Sequence, residues 1–180
     1  MERSSDDFQI RLWQSGDEEA LTRIANNRQI WRNLSDRFPH PYERAHADYW
    51  IANANLESDR ARHFAIILDG EIVGGVGFER LRDLPPRTAE IGYWVGEPFW
   101  GAGIATRALR AATRIAFRDY DFVRLQAGVL EWNPASCRVL EKYDQVARRH
   151  SALLVPLLRN LLAVHDADTR LIVASGLAAF

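Results

Sequence analysis

The sequence predicts a mixed α/β (α+β) fold in a single domain, a sheet with both antiparallel and parallel neighbours and helices on its faces. Three observations predict it. Two apolar runs flank Asp69-Gly70 within residues 63–81, the signature of a tight hairpin and so of antiparallel pairing. A strand-like run at 88–95, a helical run at 105–120 and a strand-like run at 123–132 form a β-α-β crossover, which brings parallel pairing. The chain has 180 residues, enough for one domain with a sizeable core, and no internal repeat or low-complexity linker divides it.

Each element has a local reason. Phe8-Gln9-Ile10-Arg11-Leu12-Trp13 alternates and reads as a strand. Ser15 is placed to cap a helix reaching about position 27, with Asp17, Glu18 and Glu19 at its positive end. Pro39 and Pro41 stiffen the loop at 37–42. A second helical run covers 43–58, and the hairpin follows, closed by Pro85-Pro86-Arg87. Asn133 at an N-cap position and Pro134 at the first helical position open the last clear helix, expected to end near Tyr143.

Composition narrows the function classes. The net charge of −1 supplies no field to gather nucleic acid or anionic lipid, so neither is an expected partner. Cys137 is the lone cysteine, which rules out an internal disulfide and suits a reducing compartment. The polar, acidic start is unlike a signal peptide, and the apolar run at 151–164 is broken by Pro156 and Arg159. A cytoplasmic protein with no membrane association is expected. The histidines at 40, 46, 63, 150 and 165 show no metal-ligand spacing, so no metal is expected.

The most informative stretch is Trp100-Gly101-Ala102-Gly103-Ile104-Ala105-Thr106, between a strand and a helix. Unpaired N–H groups gather at a helix start, at the positive end of its dipole. Small residues let an anion reach them, and each N–H bond to a charged oxygen is worth about 1.5–3 kcal/mol. A pyrophosphate could be held there without lysine, and Lys142 is the chain's single lysine. The other reading is a tight turn that binds nothing. No Gly-Lys-Ser/Thr follows, which excludes a P-loop, and Thr106 stands where a Rossmann fingerprint has its third glycine.

Residues 88–142 resemble the GNAT superfamily of N-acetyltransferases, and within it the RimJ/RimL-like branch of ribosomal-protein N-terminal acetyltransferases. The resemblance is carried, in order, by the Ile91-Gly92-Tyr93-Trp94 strand, the 100–106 loop, and Glu131-Trp132-Asn133-Pro134-Ala135-Ser136 opening a helix. It implies a mostly antiparallel sheet with helices on both faces and a splayed central strand pair. It also implies that Trp100, Gly101, Ala102, Gly103, Ile104, Ala105 and Thr106 hold the pyrophosphate of acetyl-coenzyme A, the co-substrate. Trp94 and Val95 would lie along the pantetheine arm, with the Val95 N–H facing the thioester oxygen, and Asn133 and Ser136 would flank the sulfur. Trp31, Arg37, His40, Tyr42 and Trp50 would border the acceptor site.

The implied activity is acetyl transfer from acetyl-coenzyme A to a primary amine, on a protein N-terminus or a small molecule, by direct attack on the thioester. That chemistry needs a neutral amine, donors for the oxyanion and a partner for the thiolate. Glu90 is the candidate base, because strand alternation puts it on one face with Gly92 and Trp94. Its other reading is an edge glutamate paired with Arg80 or Arg82. Ser136 is the candidate partner of the leaving sulfur, since Leu140 occupies the place where many superfamily members carry a tyrosine; its other reading is a serine in an ordinary first turn. Cys137 has no neighbouring base in sequence and reads as a small buried residue rather than a nucleophile.

Residues 144–180 depart from the pattern. Asp144-Gln145 stands where the family has Gly-Phe, and a leucine-rich run replaces a charged hairpin, although 169–175 still reads as a strand. A dimerisation or acceptor element, loss of turnover, and a shifted reading frame each account for this. The alternative function is therefore a non-catalytic coenzyme A-binding or self-associating protein of the same fold, a homodimer included.

Overall fold

The computed structural model describes residues 7–54, 56, 60–80, 87–130, 132–150 and 169–174, with side chains through Lys142. Six strands among them form one sheet in sequence order: β1 (Phe8–Leu12), β2 (Ala61–Leu68), β3 (Glu71–Glu79), β4 (Thr88–Val95), β5 (Arg124–Leu130) and β6 (Thr169–Ala174). Every neighbouring pair is antiparallel except β4–β5, which is parallel. The helices are α1 (Glu18–Ala25), α2 (Arg28–Trp31), α3 (Arg44–Ala54), α4 (Ile104–Asp119) and α5 (Pro134–His150).

The hairpin turn behaves as its residues demand. Asp69 and Gly70 both adopt left-handed φ, 50° and 82°, the twist that a two-residue loop needs. Leu68 pairs with Glu71 and Ile67 with Ile72, but Ile66 pairs with Gly74, so Val73 is an extra residue on β3. This bulge moves every later β3 side chain to the other face. Val73, Val76 and Phe78 consequently share the core face with Phe64 and Ile66.

Two cores sandwich the sheet. On one face α4 buries Ile104, Ala108, Leu109, Ala112 and Ala116 against β2–β5, with Leu140 of α5 joining them. On the other, α1 and α3 bury Leu21, Ala25, Ala47 and Ile51 around Trp13, Tyr42, Ala65 and Ile67. Fully burying a leucine or isoleucine contributes about 1.5–3 kcal/mol, so these faces carry most of the stability.

Some sequence expectations need correction. Helix α1 starts at Glu18 with Asp17, not Ser15, at its N-cap, and it stops at Ala25. The Asp17 carboxylate does not cap. It accepts a two-pronged bond from Arg11, at 2.7 and 2.8 Å, and the Gln14 N–H at 2.8 Å, fastening β1 to the helix start. Helix α2 is an unexpected element, capped by Asn27, whose Oδ1 accepts the Gln29 N–H at 2.7 Å. Helix α5 runs past Asp144-Gln145 to His150, because no glycine is present there to turn the chain left-handed. The expected strand at 169–175 is β6. The leucine-rich run at 151–164 lies outside the described residues.

The Asp17 anchor has a pH signature. Burial works against its charge, but the Arg11 and Gln14 hydrogen bonds outweigh that and hold its pKa below the usual aspartate range. A depressed folded pKa gives stability present above the unfolded pKa and lost as pH falls through the folded one. Asp17→Asn should therefore lower stability at pH 7 by about 2 kcal/mol. In thermal melts from pH 7 to pH 3, the difference from the parent chain should close in acid.

Candidate active site

The loop after β4 is built to leave main-chain amides uncovered. Gly101 and Gly103 have φ of 81° and 76°, a region that glycine enters without strain. Gly103 is the N-cap of α4 and no side chain caps the helix. The first amide to bond within the helix is that of Arg107, to the Gly103 carbonyl at 3.2 Å. The N–H groups of Ile104, Ala105 and Thr106 have no intrahelical acceptor and point out of the helix start. A Cβ built on Gly101 or Gly103 would meet nothing within 4 Å, so the space beside both is open. Loop and helix end together suit a doubly charged anion such as a pyrophosphate.

Beside this loop the sheet opens. β4 and β5 pair only at Thr88–Arg124, Ala89–Leu125 and Glu90–Gln126, although both strands continue. The Gly96 N–H bonds the Val73 carbonyl at 2.8 Å, on the β3 side. Alternation then turns the N–H and C=O groups of Tyr93 and Val95 the other way, into the wedge. The Val95 carbonyl accepts the Trp100 indole N–H at 2.6 Å, which fixes the strand end to the loop. The Val95 N–H is the donor that this edge offers nearest the loop.

On the face toward α1 and α3, cross-strand pairing lines up three rows: Ala65, Gly75 and Trp94; His63, Gly77 and Gly92; Ala61, Glu79 and Glu90. The middle row is a trough. The His63 ring lies against Gly77, since a Cβ there would come within 2.5 Å of its Nδ1, while a Cβ on Gly92 would meet nothing within 4 Å. Trp94 closes one end of the trough and the two glutamates the other.

Charge in the trough is unevenly compensated. Arg37 reaches Glu79 at 3.9 Å. Burial pushes the Glu90 carboxyl above the usual glutamate range, with Glu79 adding to the effect and Arg37 opposing it. Burial holds the His63 imidazole below its usual range despite Glu79, so it is neutral at pH 7. A carboxylate with raised proton affinity and a neutral imidazole are both proton acceptors. Neither His63 nor Glu79 stood out in the sequence. The alternative pairing of Glu90 with Arg80 does not form: Arg80 lies over the Phe122 ring, 5.2 Å from its centroid. Arg82 lies outside the described residues.

Across the wedge, Asn133 caps α5 as expected, its Oδ1 accepting the Ser136 N–H at 3.1 Å. The Ser136 hydroxyl is 2.7 Å from the Tyr93 hydroxyl, a partnership that sequence reasoning missed. Helix α2 spans the opening: the Asn27 side-chain amide donates to Glu97 at 2.7 Å, and the Trp132 indole donates to the Arg32 carbonyl at 3.1 Å.

The acceptor candidates divide. Trp50 stacks edge-on against His63, with ring centroids 4.9 Å apart, and Arg37 meets Glu79, so both border the trough. Trp31 and His40 stack on each other at 5.4 Å, at an exposed surface carried by α2 and the loop after it. Tyr42 is buried in the α1–α3 core against Phe38 and His46, and burial pushes its phenol to about 12. Among the described residues no group of His, Cys, Asp and Glu could hold a metal, and no helix is long and apolar enough to cross a membrane.

The acetyltransferase (GNAT) domain family matches residues 7–145, and the chain belongs to that family. It is 37% identical over 89 residues to "Probable N-acetyltransferase YjcK" of Bacillus subtilis, covering 48% of this chain and 49% of that one. It is 34% identical over 108 residues to the ribosomal-protein-serine acetyltransferase of Escherichia coli, covering 59% and 55%. The chain thus spans about half the length of these curated relatives. Among solved structures, Mycobacterium smegmatis RimJ in complex with CoA-disulfide superposes with a TM-score of 0.70 at 24% identity, over 93% of this chain and 81% of that one.

Proposed function

We propose that this protein transfers an acetyl group from acetyl-coenzyme A to a primary amine by direct attack on the thioester, acting in the cytoplasm. The acceptor is an amine on a protein N-terminus or a small molecule. The observation that carries this reading is the wedge between β4 and β5, flanked by the uncovered amides of 104–106. In this reading those amides and the 100–103 loop take the pyrophosphate. The opened edge at Tyr93-Trp94-Val95 pairs with the peptide-like pantetheine arm, as an added strand would.

The amine lies in the trough over Gly92. Glu90 accepts its proton, directly or through water, aided by a proton affinity already raised by burial. The N–C bond forms and the negative charge developing on the thioester oxygen meets the Val95 N–H. The C–S bond breaks, its electron pair goes to sulfur, and the Ser136 hydroxyl hydrogen-bonds the departing thiolate. Arg37, Trp50 and Trp94 wall the acceptor, with Trp31 and His40 further out.

An acceptor panel tests the activity: free-thiol release from acetyl-coenzyme A over peptides with free N-termini and over small amines. Binding of coenzyme A with no thiol release on any acceptor would favour a non-catalytic binder. The trough has its own test. Gly92→Val suits a strand, and a Cβ added there meets nothing within 4 Å. It should lower kcat/KM for the acceptor by about 10-fold or more while leaving coenzyme A affinity and melting temperature unchanged; unchanged acceptor kinetics would move the amine elsewhere.

A further inference from the structure

Tyr93 stands on the opposite face of β4 from Glu90, beside the residues that α4 and α5 cover. Its hydroxyl crosses the wedge and stops 2.7 Å from Ser136 Oγ, while the Ser136 carbonyl is 3.5 Å away. The Ser136 main chain is already fixed by the Asn133 cap. The serine side chain would otherwise be free to choose among staggered rotamers.

We propose that Tyr93 is a positioning residue for acetyl transfer: its phenol donates to Ser136 Oγ and thereby turns the serine's own proton toward the thioester sulfur. The inference rests on the assignment of Ser136 to the sulfur. The direction of the bond follows from chemistry. A phenol is a better donor than an aliphatic hydroxyl, and the aliphatic oxygen is the better acceptor. Burial pushes the Tyr93 phenol to about 12, so it keeps its proton throughout the working pH range. Were the serine to donate to the tyrosine instead, its single proton would be used up and the serine would offer the thiolate only lone pairs.

With Tyr93 as donor, two hydroxyls form a chain that ends on sulfur, and each bond polarises the next. The step balances without ionising either one. Glu90 holds the amine's lost proton, the C–S electron pair stays on sulfur as a thiolate held by the Ser136 hydroxyl, and Tyr93 and Ser136 finish as they began. Leu140 is buried in the core, so the helix offers no phenol one turn on from Ser136; the opposite strand supplies it.

The test is a double-mutant cycle on the full chain. Tyr93→Phe keeps the ring in its packing and removes only the hydroxyl. It should lower kcat by about 10-fold, with KM for acetyl-coenzyme A and the dissociation constant of coenzyme A within about 2-fold of the parent. Retained coenzyme A affinity reports a folded site. Ser136→Ala should be at least as slow, and the double variant no slower than Ser136→Ala alone. Full kcat in Tyr93→Phe beside a slow Ser136→Ala would overturn this inference alone, as would losses that multiply in the double variant. Full kcat in Ser136→Ala would overturn the sulfur assignment and, with it, the role of Tyr93.

Discussion

Gly103→Val should raise the dissociation constant of coenzyme A by about 100-fold or more, measured by titration calorimetry, while the chain stays folded. Two effects act together. The new side chain would occupy the open space that a phosphate oxygen must enter, and each amide-to-phosphate bond lost costs about 1.5–3 kcal/mol. A branched side chain is also disfavoured at φ of 76° and would shift the amides of 104–106 off their common target. The position is exposed, so circular dichroism should show the parent fold. Gly103→Ala, which carries the φ cost with a smaller side chain, should fall between parent and valine variant.

Glu90→Gln should have the second large effect, and in two directions at once. The amide keeps the shape but accepts no proton, so kcat should fall by about 100-fold or more. The parent's rate should rise with pH through a limb displaced above the ordinary glutamate range, and the variant should lose that limb. Stability should move the other way. A carboxyl whose folded pKa is raised contributes stability that is present below its unfolded pKa and lost as pH rises through the folded one. At pH 7, above the unfolded pKa, the raised folded pKa destabilises the parent and has no counterpart in glutamine, so the variant should melt higher. That gain should vanish on acidification below the ordinary glutamate range. A variant slower but not more stable at pH 7 would contradict the burial of Glu90; one more stable but equally fast would contradict its role as base.

Much of this arrangement was written locally in the chain. The turn at 100–106 was legible because paired glycines between a period-two and a period-3.6 pattern mark a strand-to-helix turn. Asn133-Pro134 announced the start of α5 for the same kind of reason. The wedge was not legible from β4 or β5 themselves, since nothing in either strand says where pairing with the other stops; it followed only from the family resemblance. His63 was hidden by the bulge. An unbroken two-residue hairpin would set His63 opposite Val76, away from Glu79, and only the extra residue at Val73 brings it opposite Gly77. The neighbouring Gly74-Gly75 was the available hint of irregularity. Tyr93 was placed on the correct strand, but its partner depends on how α5 packs across the gap. The Ser15 cap failed because Arg11, in β1, claims the Asp17 carboxylate and draws the helix start to itself.

A crystal structure of the chain with acetyl-coenzyme A tests most directly whether the uncovered amides and the opened strand form one binding surface. The expected result is a pyrophosphate bonded to the N–H groups between positions 101 and 106, with the thioester carbonyl on the Val95 N–H. A nucleotide bound at another face, or β4 and β5 zipped together beyond Gln126 with the ligand displaced, would contradict it.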